Sequence, residues 1–267
     1  MSFEVTESFK KNWGANPGFD EVMALDGDMY RQVARRKTFK FTLNNQDYFA
    51  KIHKGVGWGE IVKNLLLGRL PVLGAVNEYE AINALTKIGI KTMTLAAYGR
   101  RGWNVAELES FVITESLEPA VSLEDLSMGW VKNKPDLKLK RALIRHVAAI
   151  TRQLHDNGIN HRDLYICHFL LKESDLKSAL NVDELPLYLI DLHRVQIRDF
   201  VPERWRVKDL AALYFSSMHI GLTQRDFYRF IKAYSGESLS AELNCHAARW
   251  SAVFTKGQKL NSKPIKG

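Results

Sequence analysis

Two acids in this chain stand in surroundings that suggest chemistry: Asp163 in the stretch HRDLYICHFLL and Asp191 in LIDLH. Asp163 lies in a loop between an apparent helix and a short apolar run, and Asp191 directly follows a second short apolar run. Phosphoryl transfer needs two such groups. One carboxylate orients and deprotonates the attacking hydroxyl, and another holds a metal ion on the phosphates.

His161-Arg162-Asp163 followed by Asp191 matches the order of catalytic loop, hairpin and metal-binding Asp found in protein kinases. The match has departures. Position 168 is His where that pattern has Asn, and Asp191-Leu192-His193 stands where a triplet ending in Phe-Gly is usual. Neutral imidazole is a poor ligand for Mg²⁺, which prefers oxygen. His168 therefore either hydrogen-bonds a phosphate or water beside one metal, or a single metal is firmly held. A glycine-rich phosphate loop is also missing, since the first hairpin turn reads ARRK; Arg35, Arg36 and Lys37 can meet phosphate there or simply remain solvated.

A second constellation comes from helical spacing. Over residues 76–88, Tyr79, Ala81, Ile82, Leu85 and Ile88 share one face with Glu78 in its middle, while Glu80 falls opposite, beside Lys87. A carboxylate on a core-facing stripe is costly unless paired, so Glu78 predicts a buried cation. Lys51 in YFAKIH is the candidate, as in the Lys–Glu pair that holds a kinase lysine against nucleotide phosphates. The blander alternative has Lys51 snorkelling and Glu78 at a wet helix start. Asp209 in WRVKDLAALYF reads as lying near a helix start. There it either anchors the catalytic-loop backbone or complements the helix dipole.

A rival site is an assembly of His155-Asp156, His161, Asp163, His168 and His193 into a metal phosphohydrolase centre. That reading expects an all-helical chain, and the strand-rich first 116 residues oppose it.

The positioning elements follow from hydrophobic period and turn residues. Three antiparallel strands are expected between Tyr30 and His53, then a short helix in EIVKNLLLGRLP, the helix of 76–88, and strands at 92–98 and 110–116. This makes a five-stranded N-terminal unit over 1–116. The second unit, 117–255, opens on a helix at 139–155 stopped by Gly158, continues with a hairpin of 169–171 and 187–191, and is helical thereafter. Residues 256–267 form an expected basic tail. The fold class is thus α+β and two-lobed, with a small antiparallel-sheet lobe and a mostly helical one.

Composition narrows the class. The 267 residues are 46% hydrophobic and 25% charged, as in a globular protein, and carry a net charge of +8, which favours acidic company. Cys167 and Cys245 are too few for a disulfide framework or a cysteine-built zinc site. The start MSFEVTESFKK lacks the form of a secretory signal, and no run reaches the roughly 20 apolar residues of a membrane span, so a cytoplasmic location is expected.

The stretches YFAKIHKGVGWGEIVKNLL, LPVLGAVNEYEAI, NHRDLYICHFLL, IDLHRVQIRD and RWRVKDLAALYFS resemble the lipopolysaccharide core heptose(I) kinases of Gram-negative bacteria, the WaaP type, over nearly the whole chain. The resemblance implies a kinase-like fold that uses ATP and Mg²⁺ to phosphorylate a heptose hydroxyl of the inner core. It implies Asp163 as catalytic base, Asp191 as metal ligand, Lys51 on the phosphates and Glu78 as its partner, with His168 and Asp-Leu-His as family variants. His161 joins the catalytic set, and Glu115 and Leu117, beside the lobe boundary, join Lys51, Glu78 and His168 in binding the cofactor. Arg162, His193 and Arg194, with Arg198, are the expected contacts to an acidic acceptor.

The acceptor would be lipid-A-linked, at the inner face of the inner membrane, where a basic protein is suited to peripheral contact. Trp58–Arg69 either lies at that interface as an amphipathic helix or packs internally. An acidic carrier protein such as acyl carrier protein is a further expected partner; nucleic acid is not. The competing functions are a phosphotransferase for another small sugar or an antibiotic, and a pseudokinase scaffold binding an acidic partner.

Overall fold

The computed structural model describes residues 1–33, 36–55, 59, 74–104, 107–178 and 181–262. The chain falls into two compact units: Met1–Ala84, Met93–Leu117 and Leu192–Arg194 in one, Leu85–Thr92, Glu118–Asp191 and Val195–Gly267 in the other. The expected helix in EIVKNLLLGRLP and, apart from residue 59, the interfacial segment 58–69 lie outside the described residues, as does Arg35.

The first unit contains β1 (Ser2–Val5), α1 (Glu7–Trp13), α2 (Phe19–Met23), β2 (Asp28–Val33), β3 (Arg36–Leu43), β4 (Gln46–Lys54), most of α3 (Val76–Lys87), β5 (Leu95–Arg101) and β6 (Glu109–Glu115). Its sheet is antiparallel throughout and has six strands, in the order β1-β5-β6-β4-β3-β2, where the sequence suggested five. The additional strand is β1, whose residues Ser2–Val5 pair with Ala97–Arg100.

Asn44 and Asn45 both take positive φ, 47° and 62°, and close the β3–β4 hairpin in a two-residue turn that matches strand twist. That turn fixes the register along β4. Tyr48, Ala50 and Ile52 then pack into the core with Phe9 of α1 and Phe19, Val22 and Met23 of α2, and Phe49, Lys51 and His53 alternate to the other face.

The second unit holds β7 (Ala120–Ser122), α4 (Leu123–Ser127), α5 (Leu137–Asp156), β8 (Ile159–Asn160), β9 (Phe169–Lys172), α6 (Glu173–Ser178), β10 (Tyr188–Leu189), β11 (Gln196–Ile197), α7 (Glu203–Ser216), α8 (Gln224–Ser235), α9 (Leu239–Cys245) and α10 (Ala247–Asn261). Its helical core gathers Ala148 from α5, Leu210 and Ala211 from α7, Ile231 and Tyr234 from α8, and Trp250 and Val253 from α10. The segments 169–172 and 188–189 pair antiparallel as a hairpin, and β7 adds a third strand.

Gly158 ends α5 at φ 74°, and a Cβ there would collide with the carbonyl oxygen of Arg198. Only glycine meets both demands, and the close approach lets β8 pair with β11. Residues 256–261, expected in the tail, instead form the last turns of α10. Gly257 is buried there so closely against Tyr214 that a side chain would strike the ring.

Candidate active site

In the first unit Lys51 meets Glu78: Nζ lies 2.5 Å from Oε1, and the Glu78 side chain is only 3% exposed. The helical period explains this, since Glu78, Ala81, Ile82 and Leu85 are buried while Glu80 and Lys87 are exposed. Next to Lys51 on the same strand face, His53 is buried, and burial first, then the charges of Arg36, Lys51 and His193, push its pKa down to about 4. It is neutral at pH 7. His193 and Arg194 lie half-buried in the turn Leu192–Arg194, Glu115 ends β6 opposite Tyr48, and Leu117 is buried.

The second unit organises the two acids through backbone. Asp209, fully buried on α7, accepts the N–H of His161 at 2.7 Å through Oδ2 and the N–H of Arg162 at 2.8 Å through Oδ1. It stands in the middle of α7, not near its start, so the helix-dipole alternative does not apply. His161 is also fully buried, which lowers its pKa. The neutral ring donates Nε2–H to the carbonyl of Ile190 at 3.0 Å.

The N–H of the same Ile190 donates to the carbonyl of His168 at 3.0 Å, and Nδ1–H of His168 donates to the carbonyl of Asp163 at 2.8 Å. Residues 161 and 168 thereby grip the peptide that precedes Asp191, and Asp163 holds the ring of His168. His168 Nε2 lies 3.5 Å from Asp191 Oδ2. Both Arg162 and Asp191 hold positive φ, 74° and 61°, an uncommon conformation for a side-chain-bearing residue and one concentrated at functional sites.

The carboxylate oxygens of Asp191 suit a hard cation; the imidazole of His168 does not. Cys167 is half-buried, which raises its pKa to about 11 and leaves the thiol unreactive.

The phosphohydrolase assembly does not form. His155 is buried, with Nδ1 2.8 Å from the Tyr234 hydroxyl and Nε2 3.5 Å from Asp209, and Asp156 pairs with Arg152. Among the described residues no three His, Cys, Asp or Glu side chains are arranged to hold a metal ion.

Two features escaped the sequence reading because they join distant stretches. One is a buried ion pair, Lys140 Nζ to Asp226 Oδ2 at 2.8 Å, beside an apolar cavity of about 100 Å³ between α5, α7, α8 and α10. The other is the surroundings of Trp205, whose ring centroid lies 5.3 Å from the Arg162 guanidinium. The repeated basic residues of RWRVK were its only trace in sequence.

Residues 20–234 match the lipopolysaccharide kinase (Kdo/WaaP) family. The chain is 46% identical to the lipopolysaccharide core heptose(I) kinase WaaP of Pseudomonas aeruginosa, over 97% of this chain and 96% of that one. It is 45% identical to the protein of that name in Escherichia coli K12, over 97% of each. The solved structure of WaaP in complex with acyl carrier protein is similar at a TM-score of 0.82 and 41% identity, covering 97% of this chain and 99% of that chain.

Proposed function

The chain belongs to the lipopolysaccharide kinase (Kdo/WaaP) family, and from that premise we propose that it transfers the γ-phosphate of ATP to a hydroxyl of heptose I in the lipopolysaccharide core. The observation that carries the chemical reading is the double hold on Ile190, by His161 and His168, which ties the Asp163 loop to the Asp191 turn.

Asp163 accepts the proton of the heptose hydroxyl as its oxygen attacks the γ-phosphorus, and the bond to the ADP oxygen breaks. Lys51 balances phosphate charge, and Glu78 keeps its ammonium in place. A divalent cation such as Mg²⁺, when bound, would be held by Asp191 and would supply further charge neutralisation on the phosphates. His168, with Nδ1–H committed to the Asp163 carbonyl, positions the loop rather than serving as an oxygen-type ligand. His161 and Asp209 are positioning residues as well, because both are fully buried.

An acyl carrier protein is a second partner that this reading favours. The chain is basic, and the apolar cavity lined by Leu143, Val147, Leu213, Phe227 and Trp250 suits an alkyl chain. Native mass spectrometry with acylated and unacylated carrier should show retention of the acylated form. Equal binding of both would remove the cavity from the account.

The test of the reaction uses radiolabelled ATP, Mg²⁺ and core oligosaccharide lacking phosphate on its inner heptose, with Asp163→Ala and Asp191→Ala as controls. Label should enter the sugar with the wild type alone. Labelling by folded Asp163→Ala at the wild-type rate would end the proposal for that residue, and no labelling by any form would end it for the acceptor.

A further inference from the structure

Four cations surround one indole in the second unit. The guanidinium carbons of Arg162, Arg198 and Arg204 lie 5.3, 5.8 and 5.5 Å from the Trp205 ring centroid, and Lys208 Nζ lies 5.3 Å from it. A single cation over an aromatic face is an ordinary favourable contact. Four are not, because a ring has two faces and at least two cations must then share one. Their mutual repulsion opposes the cation–π attraction.

For two of the four, Arg198 and Arg204, no carboxylate among the described residues offsets that charge. Arg198 donates to Asn160 Oδ1 and Gln196 Oε1, both neutral acceptors. Arg204 is exposed and has no carboxylate within ion-pair distance among the described residues. The nearby Glu203 is already engaged by Arg249. Arg204, Trp205 and Lys208 also lie in the first two turns of α7, where the helix dipole disfavours added positive charge. A gathering of this kind is stabilised by an anion that supplies oxygens to several guanidinium forks at once.

Its position in the chain says which anion is useful. Arg162 immediately precedes Asp163, Lys208 immediately precedes Asp209, and Asp209 holds the Arg162 backbone. Arg198 is fixed by its N–H to the Gly158 carbonyl at 3.0 Å, on the pairing of β8 with β11 that leads into the same loop. We propose that Arg162, Arg198, Arg204 and Lys208 around Trp205 form an anion subsite that holds a carboxylate or phosphate substituent of the acceptor saccharide, fixing the sugar relative to Asp163. The proposal rests on the sugar-kinase reading and adds the place where the acceptor's acidic group is held, a cluster around Trp205 that brings in Arg204 and Lys208.

Ile197 and Phe200, 48% and 70% exposed, flank Arg198 and suggest the competing occupant, an anionic membrane surface. The experiment separates the two. In Arg198→Gln/Arg204→Gln, the KM for delipidated core oligosaccharide should rise about tenfold or more, as loss of charge-assisted bonds predicts, with kcat and the KM for ATP nearly unchanged. The difference from wild type should vanish with a carboxyl-reduced acceptor if the anion is a carboxylate, and with a dephosphorylated one if it is a phosphate. An unchanged KM for the soluble acceptor overturns the proposal. Loss of binding to phosphatidylglycerol vesicles with that KM unchanged assigns the cluster to the membrane instead.

A readout independent of turnover keeps this apart from the reaction itself. The indole N–H resonance of Trp205, identified by its loss in Trp205→Phe, should shift saturably as the core oligosaccharide is added, and should not in the double variant. A shift without phosphate transfer would sink the kinase reading and leave the subsite standing. Transfer without a shift would do the reverse.

Discussion

The Nε2–H of buried His161 donates to the carbonyl of Ile190 at 3.0 Å, so the residue that opens the Asp163 loop also holds the one before Asp191. Replacing His161 with Phe keeps the ring volume and leaves that carbonyl without its donor, a change worth about 1–3 kcal/mol. We expect His161→Phe to lower kcat about tenfold to a hundredfold with a smaller effect on the KM for ATP. Steady-state kinetics beside a thermal melt checks this, and an unchanged kcat would mean the two stretches keep their places without the bond.

The Lys51–Glu78 pair leads to an asymmetric expectation. Lys51→Met strands a carboxylate that is 3% exposed, and breaking a buried pair in this way costs roughly 3–5 kcal/mol. Glu78→Gln retains shape and hydrogen bonding while loosening the ammonium. It should therefore fold nearly as well as wild type yet lose about a hundredfold in kcat through a less well placed Lys51. Urea denaturation and kinetics on the two variants distinguish stability from function.

His53 makes stability depend on pH. Its folded pKa of about 4 lies below the usual 6.5, so the unfolded chain takes up the proton first as pH falls. The contribution is intact above pH 6.5 and is lost as pH drops toward 4, amounting to about 2 kcal/mol between pH 7 and pH 5. Denaturation curves at both pH values should show a smaller difference in His53→Gln than in the wild type.

Asp226 behaves in the same direction at lower pH. Burial alone would raise its pKa, but hydrogen bonds from Lys140 and Thr223 hold it below the usual carboxylate value of 3.8. Its contribution is thus present above that value and lost as pH falls through the lower folded pKa. Asp226→Asn should destabilise by about 3–5 kcal/mol at pH 7, whereas Lys140→Met/Asp226→Leu should recover much of the loss, because a buried pair can often be replaced by apolar packing. Urea midpoints for the single and double variants test this.

Helical periodicity made α3 and α5 legible, and with them the buried position of Glu78. The loop acids were legible because each is framed by short apolar strands. The N-terminal cover was not. Strand β1 has only Ser2–Val5, and α1 and α2 place Phe9, Phe19, Val22 and Met23 in the core over stretches too short to display a period. Asp209 was seen, but its helix starts earlier than the apolar run LAALYF suggests, since Pro202 and Glu203 begin it ahead of any hydrophobic stripe. The cluster at Trp205 and the Lys140–Asp226 pair depend on tertiary meetings between distant residues, for which a single sequence carries no spacing.

On the proposed mechanism, the left-handed backbone at Arg162 and Asp191 sets folding against catalysis at the same two positions. Glycine would relax either site, where a side chain costs on the order of 1 kcal/mol in that conformation. Selection for a sturdier protein alone would favour losing the two side chains to which the proposed chemistry gives roles. A descendant relieved of its reaction should therefore gain heat resistance by mutating here first, and an engineer who wants robustness with activity kept should leave both positions alone.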